Sequence, residues 1–210
     1  MPRLRSLVAL AILALPMVGA PVLSREAAAE APRACPASGR VEHTGGSPTI
    51  YLGIVPDIPD LCWMQRGDTP EGAYYLGIWA AEWPGAGLAY PAMHRVMHGP
   101  VGTTEEFITR SAPGWQWHGI LRNEGIETVT LPDGRRVRAL RMSHERIGIE
   151  DNIYHSVITV WKEMTSGMIV RQEHRHIAGQ PVEGAAWEPT SVTGLPPRAA
   201  GRADRRRPAR

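Results

Sequence analysis

The chain has 210 residues, with 23 Lys and Arg against 21 Asp and Glu, a formal net charge of +2, two Cys and a single Phe beside seven Trp. Such a near-neutral balance excludes an overall polycation built for nucleic acid, and the cysteine count excludes a multi-disulfide miniprotein or a cysteine-rich metal module. The charge is unevenly placed. Residues 196–210 carry six Arg against one Asp and residues 1–29 three Arg against one Glu, so the stretch between them holds −5.

Arg3 and Arg5 precede an apolar run from Leu7 to Leu23, and a small-residue patch follows at Glu26-Ala27-Ala28-Ala29-Glu30. This order of basic, apolar and small residues predicts a secretory signal peptide over 1–29, cleaved near Ala29. The run contains Pro16 and no second apolar segment follows it, so no integral membrane segment is expected after cleavage, and the mature chain is placed in the periplasm or outside the cell. In that oxidising setting Cys35 and Cys62 are expected to form a disulfide. Residues 196–210 lack apolar periodicity and read as a disordered basic tail. No aromatic residue is interleaved with its arginines, so no nucleic-acid partner is expected. Residues 30–195 remain as one β-rich domain.

Within that domain, runs rich in β-branched and aromatic residues alternate with turn chemistry. Thr49 to Val55, Cys62 to Arg66 and Ala73 to Trp79 are strand candidates, and Gly67-Asp68-Thr69-Pro70-Glu71-Gly72 links the last two as a hairpin connection. Ala86 to His98 is the one convincing helix: Ala86, Ala89, Tyr90, Met93, Val96 and Met97 fall on a single stripe at helical spacing. Strands are then expected over Thr103 to Thr109 and Trp115 to Leu121. Glu127 to Leu131 and Arg135 to Met142 flank Pro132-Asp133-Gly134, an Asp-Gly hairpin turn. Ile153 to Lys162 and Met168 to Ile177 flank Thr165-Ser166-Gly167, and a last strand spans Ala185 to Val192. The expected fold class is mainly β: a single curved antiparallel sheet or open half-barrel of about eight strands with one packed helix over 86–98.

The segments "VTLPDGRRVRALRM" (Val129 to Met142) and "YHSVITVWKEMTSGMIVRQE" (Tyr154 to Glu173) resemble a layout found in exported bacterial β-proteins of unknown function. The resemblance implies an open, strongly curved antiparallel sheet, similar to lipoprotein-carrier or lipocalin-like half-barrels. It covers turn and core positions of the C-terminal half, departs from the pattern at Asp133, and carries over no catalytic residue.

The search for chemistry is mostly one of exclusion. No nucleophile elbow, phosphate-cradling loop or dinucleotide fingerprint is present, and a paired Cys35 and Cys62 supply no thiol nucleophile. The pairs Asp57/Asp60, Glu105/Glu106 and Glu150/Asp151 sit in or beside loops and read as solvated surface acids. A non-enzymatic protein without a resident cofactor is therefore expected. It would bind a hydrophobic or amphipathic ligand, an apolar small molecule or lipid, or an envelope partner on the concave face of the sheet. Tryptophans are the candidate lining, each bringing a large apolar surface with one N–H: Trp115 and Trp117, which share a face if both are on a strand, with Trp79 and Trp161.

The alternative reading is a periplasmic copper or zinc protein. His94 and His98 lie four apart on the flank of the helical stripe, and His174 and His176 lie two apart on a strand face, each a spacing at which two imidazoles reach one ion. Arg95 stands where the zinc-protease helix has its glutamate base. Met93 and Met97 fall within the stripe and are expected to pack, and His98 in the last turn is expected to satisfy terminal carbonyls.

Overall fold

The computed structural model describes residues 31–44, 46–83, 85–110, 115–180 and 186–195. The expected signal peptide and basic tail lie outside the described residues.

Eleven strands and one helix follow in the order β1 (Gly39–His43), β2 (Gly46–Ile54), β3 (Leu61–Arg66), β4 (Gly72–Tyr75), β5 (Trp79–Ala80), α1 (Ala86–His98), β6 (Thr104–Arg110), β7 (Gln116–Thr130), β8 (Arg136–Gly148), β9 (His155–Glu163), β10 (Ile169–Ala178) and β11 (Pro189–Thr193). The protein is mainly β and antiparallel, with the expected helix and no closed barrel. The strands are divided between two sheets, in the orders β11-β1-β2-β3-β4-β5 and β10-β9-β8-β7-β6, where the sequence suggested one. Among the described residues the backbone bridge between the sheets is the pair Gln172 of β10 and Trp187, which exchange two hydrogen bonds of 3.2 and 2.8 Å; the side chains of Arg66 and Tyr51 also cross, to Gln172 and Ile169. Beside that seam, the Trp187 ring lies flat on His43 of β1 at 3.9 Å.

Both late hairpins form where turn chemistry places them. Gly134 adopts φ +78° in the β7–β8 turn, a left-handed conformation that costs glycine little. The β9–β10 turn is organised by the buried Glu163 carboxylate, which accepts from the amides of Thr165 and Ser166. The longest strand, β7, runs unbroken through Arg122-Asn123-Glu124, where the sequence suggested two separate strands. A bulge between Asn123 and Gly125 absorbs the change of register, and Gly125 supplies the φ of +104° that it requires.

Helix α1 packs on the second sheet with Ala86, Ala89, Ala92, Met93, Val96 and Met97 buried. Burial of Met93, Val96 and Met97 contributes roughly 1.5–3 kcal/mol each, more than the intrinsic propensity of a 13-residue helix supplies. Pro91 interrupts the amide ladder on the exposed side, where water can meet the freed carbonyl. His98 is exposed; the C-terminal carbonyls are met instead by buried Asn123, whose Nδ2 donates to Val96 O (3.1 Å) and Gly99 O (3.0 Å) while Oδ1 accepts from the Gly125 amide. The β7 bulge and the helix end are thus one structural device.

The Cys35–Cys62 disulfide is formed, with a Cα separation of 5.3 Å. Lys162 of β9 lies beside it, fully buried, and its Nζ donates to the carbonyls of Ala34 (2.8 Å), Leu76 (2.8 Å) and Gly167 (2.6 Å). Three acceptors match the three N–H groups of an ammonium. Burial pushes this amine down to about 7, against the opposing charges of Asp60 and Glu163. One side chain therefore fastens the N-terminal segment, the β4–β5 turn and the β9–β10 turn together. No described helix is long and apolar enough to cross a membrane.

Candidate functional site

Alternation along β8 and β9 decides what faces the interior. Met142 pairs across with Val160, and His144 with Ile158; their neighbours Arg141 and Trp161 pair on the opposite face. The interior face of the second sheet, helix α1 and the first sheet line a half-open cavity of ≈ 430 Å³, within the roughly 300–1,000 Å³ range of small-molecule sites. Its apolar walls include Met93 and Val96 from α1, Leu121 and Met142 from β7 and β8, and Ile169 at the start of β10. Trp79 of β5 and Trp83 form an aromatic edge, their rings 4.9 Å apart, and Trp79 also lies 5.0 Å from the His144 ring.

The charged residues of the lining are cationic, beside neutral Thr69, Ser143, His144 and Gln172. Arg66 and Arg146 both line the cavity, and no Asp or Glu does among the described residues. Arg66 reaches across from β3 to the second sheet, donating to Ile78 O (3.0 Å) and to Gln172 Oε1 (3.2 Å). Arg146 lies over the rings of Trp117 and Tyr154, at 4.5 and 5.6 Å from their centroids. Burial holds its guanidinium below the usual range, an effect the neighbouring Tyr154 opposes. His144, two residues away on the same face, is pushed down to about 3 by burial and then by the charge of Arg146, so its ring is neutral at neutral pH; its Nε2 is buried without a hydrogen-bond partner among the described residues.

The four tryptophans expected to share a ligand face are dispersed. Trp79 lines the cavity. Trp117 is buried outside that lining, edge-on to Tyr154 at 5.3 Å and beneath Arg146. Trp115 precedes β7 and is 57% exposed. Trp161 is buried on the other face of the second sheet, covered by the guanidiniums of Arg141 (5.5 Å) and Arg171 (4.7 Å), with its Nε1 donating to Glu127. Trp79 is the one lining residue the sequence pointed to; Trp83, Arg66, His144 and Arg146 are among those it did not.

The histidines remain in two pairs. On α1, His94 and His98 have ring centroids 4.3 Å apart, and His94 Nε2 lies 3.6 Å from Asp60 Oδ2, which also accepts from the Tyr90 hydroxyl at 2.6 Å. That hydrogen bond, followed by burial, raises the Tyr90 hydroxyl to about 12. On β10, the rings of His174 and His176 are 6.5 Å apart; His174 Nε2 is bonded with the Tyr154 hydroxyl at 3.2 Å, and His176 Nε2 donates to Gly179 O at 2.9 Å. Among the described residues, no three His, Cys, Asp or Glu side chains group to hold a metal ion.

No protein-family model, curated protein or solved structure matches the chain.

Proposed function

We propose that the protein is an exported, non-enzymatic binding protein that holds a hydrophobic or amphipathic ligand between its two sheets and its helix. The observation that carries this reading is the ≈ 430 Å³ cavity with methionine, aliphatic and tryptophan walls. A concave, mainly apolar cleft with a few convergent polar groups is the usual form of a small-molecule site, and this one joins such walls to Arg66, His144 and Arg146. The Cys35–Cys62 disulfide supports an oxidising compartment. The layout shared with exported half-barrel proteins over Val129 to Met142 and Tyr154 to Glu173 supports the same placement.

The test is a titration of the purified protein with the neutral fluorophore N-phenyl-1-naphthylamine. Saturable binding of one molecule per chain is expected, with quenching of tryptophan emission through Trp79 and Trp83. Ala80, a lining residue on the short edge strand β5, gives a substitution that fills the space. Ala80→Trp is expected to weaken binding by about tenfold or more, the equivalent of about 1.4 kcal/mol. Failure of the folded wild-type protein to saturate, or equal affinity in folded Ala80→Trp, would reject the cavity as the ligand site.

A further inference from the structure

The cavity walls restrict the chemistry of a ligand, on the reading that the cavity is a ligand site. At about 30 Å³ for a water-sized group, ≈ 430 Å³ accommodates on the order of a dozen such groups, one chain rather than two. Every ion pair of an arginine among the described residues lies outside the lining: Arg40 with Glu42, Arg95 with Glu105, Arg122 with Glu145, Arg135 with Asp133, Arg171 with Glu173 and Glu188. The two arginines of the lining have no carboxylate within ion-pair distance among the described residues.

Those two arginines differ in what they have left to offer. Arg66 commits both terminal nitrogens of its fork, one N–H each, to Ile78 O and Gln172 Oε1, which fixes it across the two sheets. Arg146 lies over the faces of Trp117 and Tyr154, and its five N–H donors make no hydrogen bond among the described residues. Stacking on aromatic rings offsets part of the cost of withdrawing a guanidinium from water, but leaves its in-plane donors open. An oxyanion presented in that plane would accept two parallel charge-assisted hydrogen bonds, the strongest pairing available to arginine. His144 beside it is neutral and does not compete for the anion.

We propose that the ligand is a single-chain amphipath with an anionic oxygen head, a carboxylate or a phosphate, held at the guanidinium of Arg146, with its chain along Met93, Val96 and Ile169.

Calorimetric titration of the whole protein with dodecanoate, dodecyl phosphate and dodecan-1-ol, each as dispersed monomer, and with inorganic phosphate tests the assignment. The two anionic chains should bind at least about tenfold tighter than the alcohol, the ratio one charge-assisted contact supplies, and inorganic phosphate should not bind measurably. Arg146→Gln should reduce the anionic probes to about the affinity of the alcohol while leaving the alcohol unchanged, and Arg146→Lys should retain part of the preference. Equal binding of alcohol and acid by the wild-type protein would overturn the anionic head while leaving an apolar ligand in place. Inorganic phosphate binding as tightly as dodecyl phosphate would overturn the single-chain amphipath. If none of the three chains binds, the ligand reading and the head-group assignment fall together. The wild-type comparison decides the matter even if the Arg146 variants do not fold.

Discussion

The two faces of the second sheet are built from alternate residues of the same strands, yet they treat arginine in opposite ways. On the outer face, Arg122 is paired with Glu145, and Arg171 with Glu173 and Glu188, while Arg141 and Arg171 lay their guanidiniums over Trp161. On the inner face, Arg146 has aromatic rings and, among the described residues, no carboxylate partner. A charge at a wetted surface gains little from a salt bridge, so the outer pairs are dispensable decoration of a face that is stable without them. The inner cation carries a desolvation cost that its aromatic neighbours offset only in part, and the difference between the faces lies in how far each charge is from water.

The comparison can be broken most severely at Lys162, which sits on the inner side and holds three carbonyls. Lys162→Ala strands the oxygens of Ala34, Leu76 and Gly167 without their donor, and is expected to cost about 3 kcal/mol or more, read as a lower urea midpoint. An unchanged midpoint would show that water replaces the ammonium at no cost.

An intermediate effect concerns acid. His144 and His43 are held down to about 3 and about 4, mainly by burial, against 6.5 when unfolded. Between these values and 6.5 the unfolded chain binds protons that the folded chain does not, so stability falls as pH falls through this window. The slope is on the order of 1.4 kcal/mol per pH unit for a fully buried histidine. His144→Gln should flatten the fall in melting temperature between pH 7 and pH 4, and parallel wild-type and variant curves would assign the acid sensitivity elsewhere.

The smallest effect is expected on the outer face, where Arg122→Ala should change stability by about 0.5 kcal/mol, diminishing further in high salt. A loss of several kcal/mol there, measured by the same urea titration, would erase the distinction between the faces.

Local chemistry was legible in the sequence and cross-strand register was not. The helical stripe through Met93 and Met97, the turns at Asp133-Gly134 and Thr165-Ser166-Gly167, and the disulfide each depend on residues near in sequence or on a count of two cysteines. The division into two sheets was hidden because it depends on which edges find each other, and Gln172 with Trp187 is the backbone bridge between them among the described residues. Strand β7 read as two because Arg122-Asn123-Glu124 is polar; the tertiary role of Asn123 as a cap for α1 makes that polar residue a buried one. Among the tryptophans, Trp161 looked equivalent to Trp79 by composition. Its pairing with Arg141 and Arg171, set by register across three strands, turned it to the other face.

The seam between the sheets bears on how the interior communicates with the outside. Neighbouring strands within each sheet are stitched along several residues, whereas β10 and the segment leading into β11 share one pair of hydrogen bonds, flanked by the His43–Trp187 stack and the Arg171–Glu188 bridge. Gln172 belongs to this seam and to the cavity lining at once. This wall of the cavity therefore depends less on a backbone ladder than on side chains: parting it requires the loss of two backbone bonds together with the Arg66–Gln172 hydrogen bond, the His43–Trp187 stack and the Arg171–Glu188 bridge.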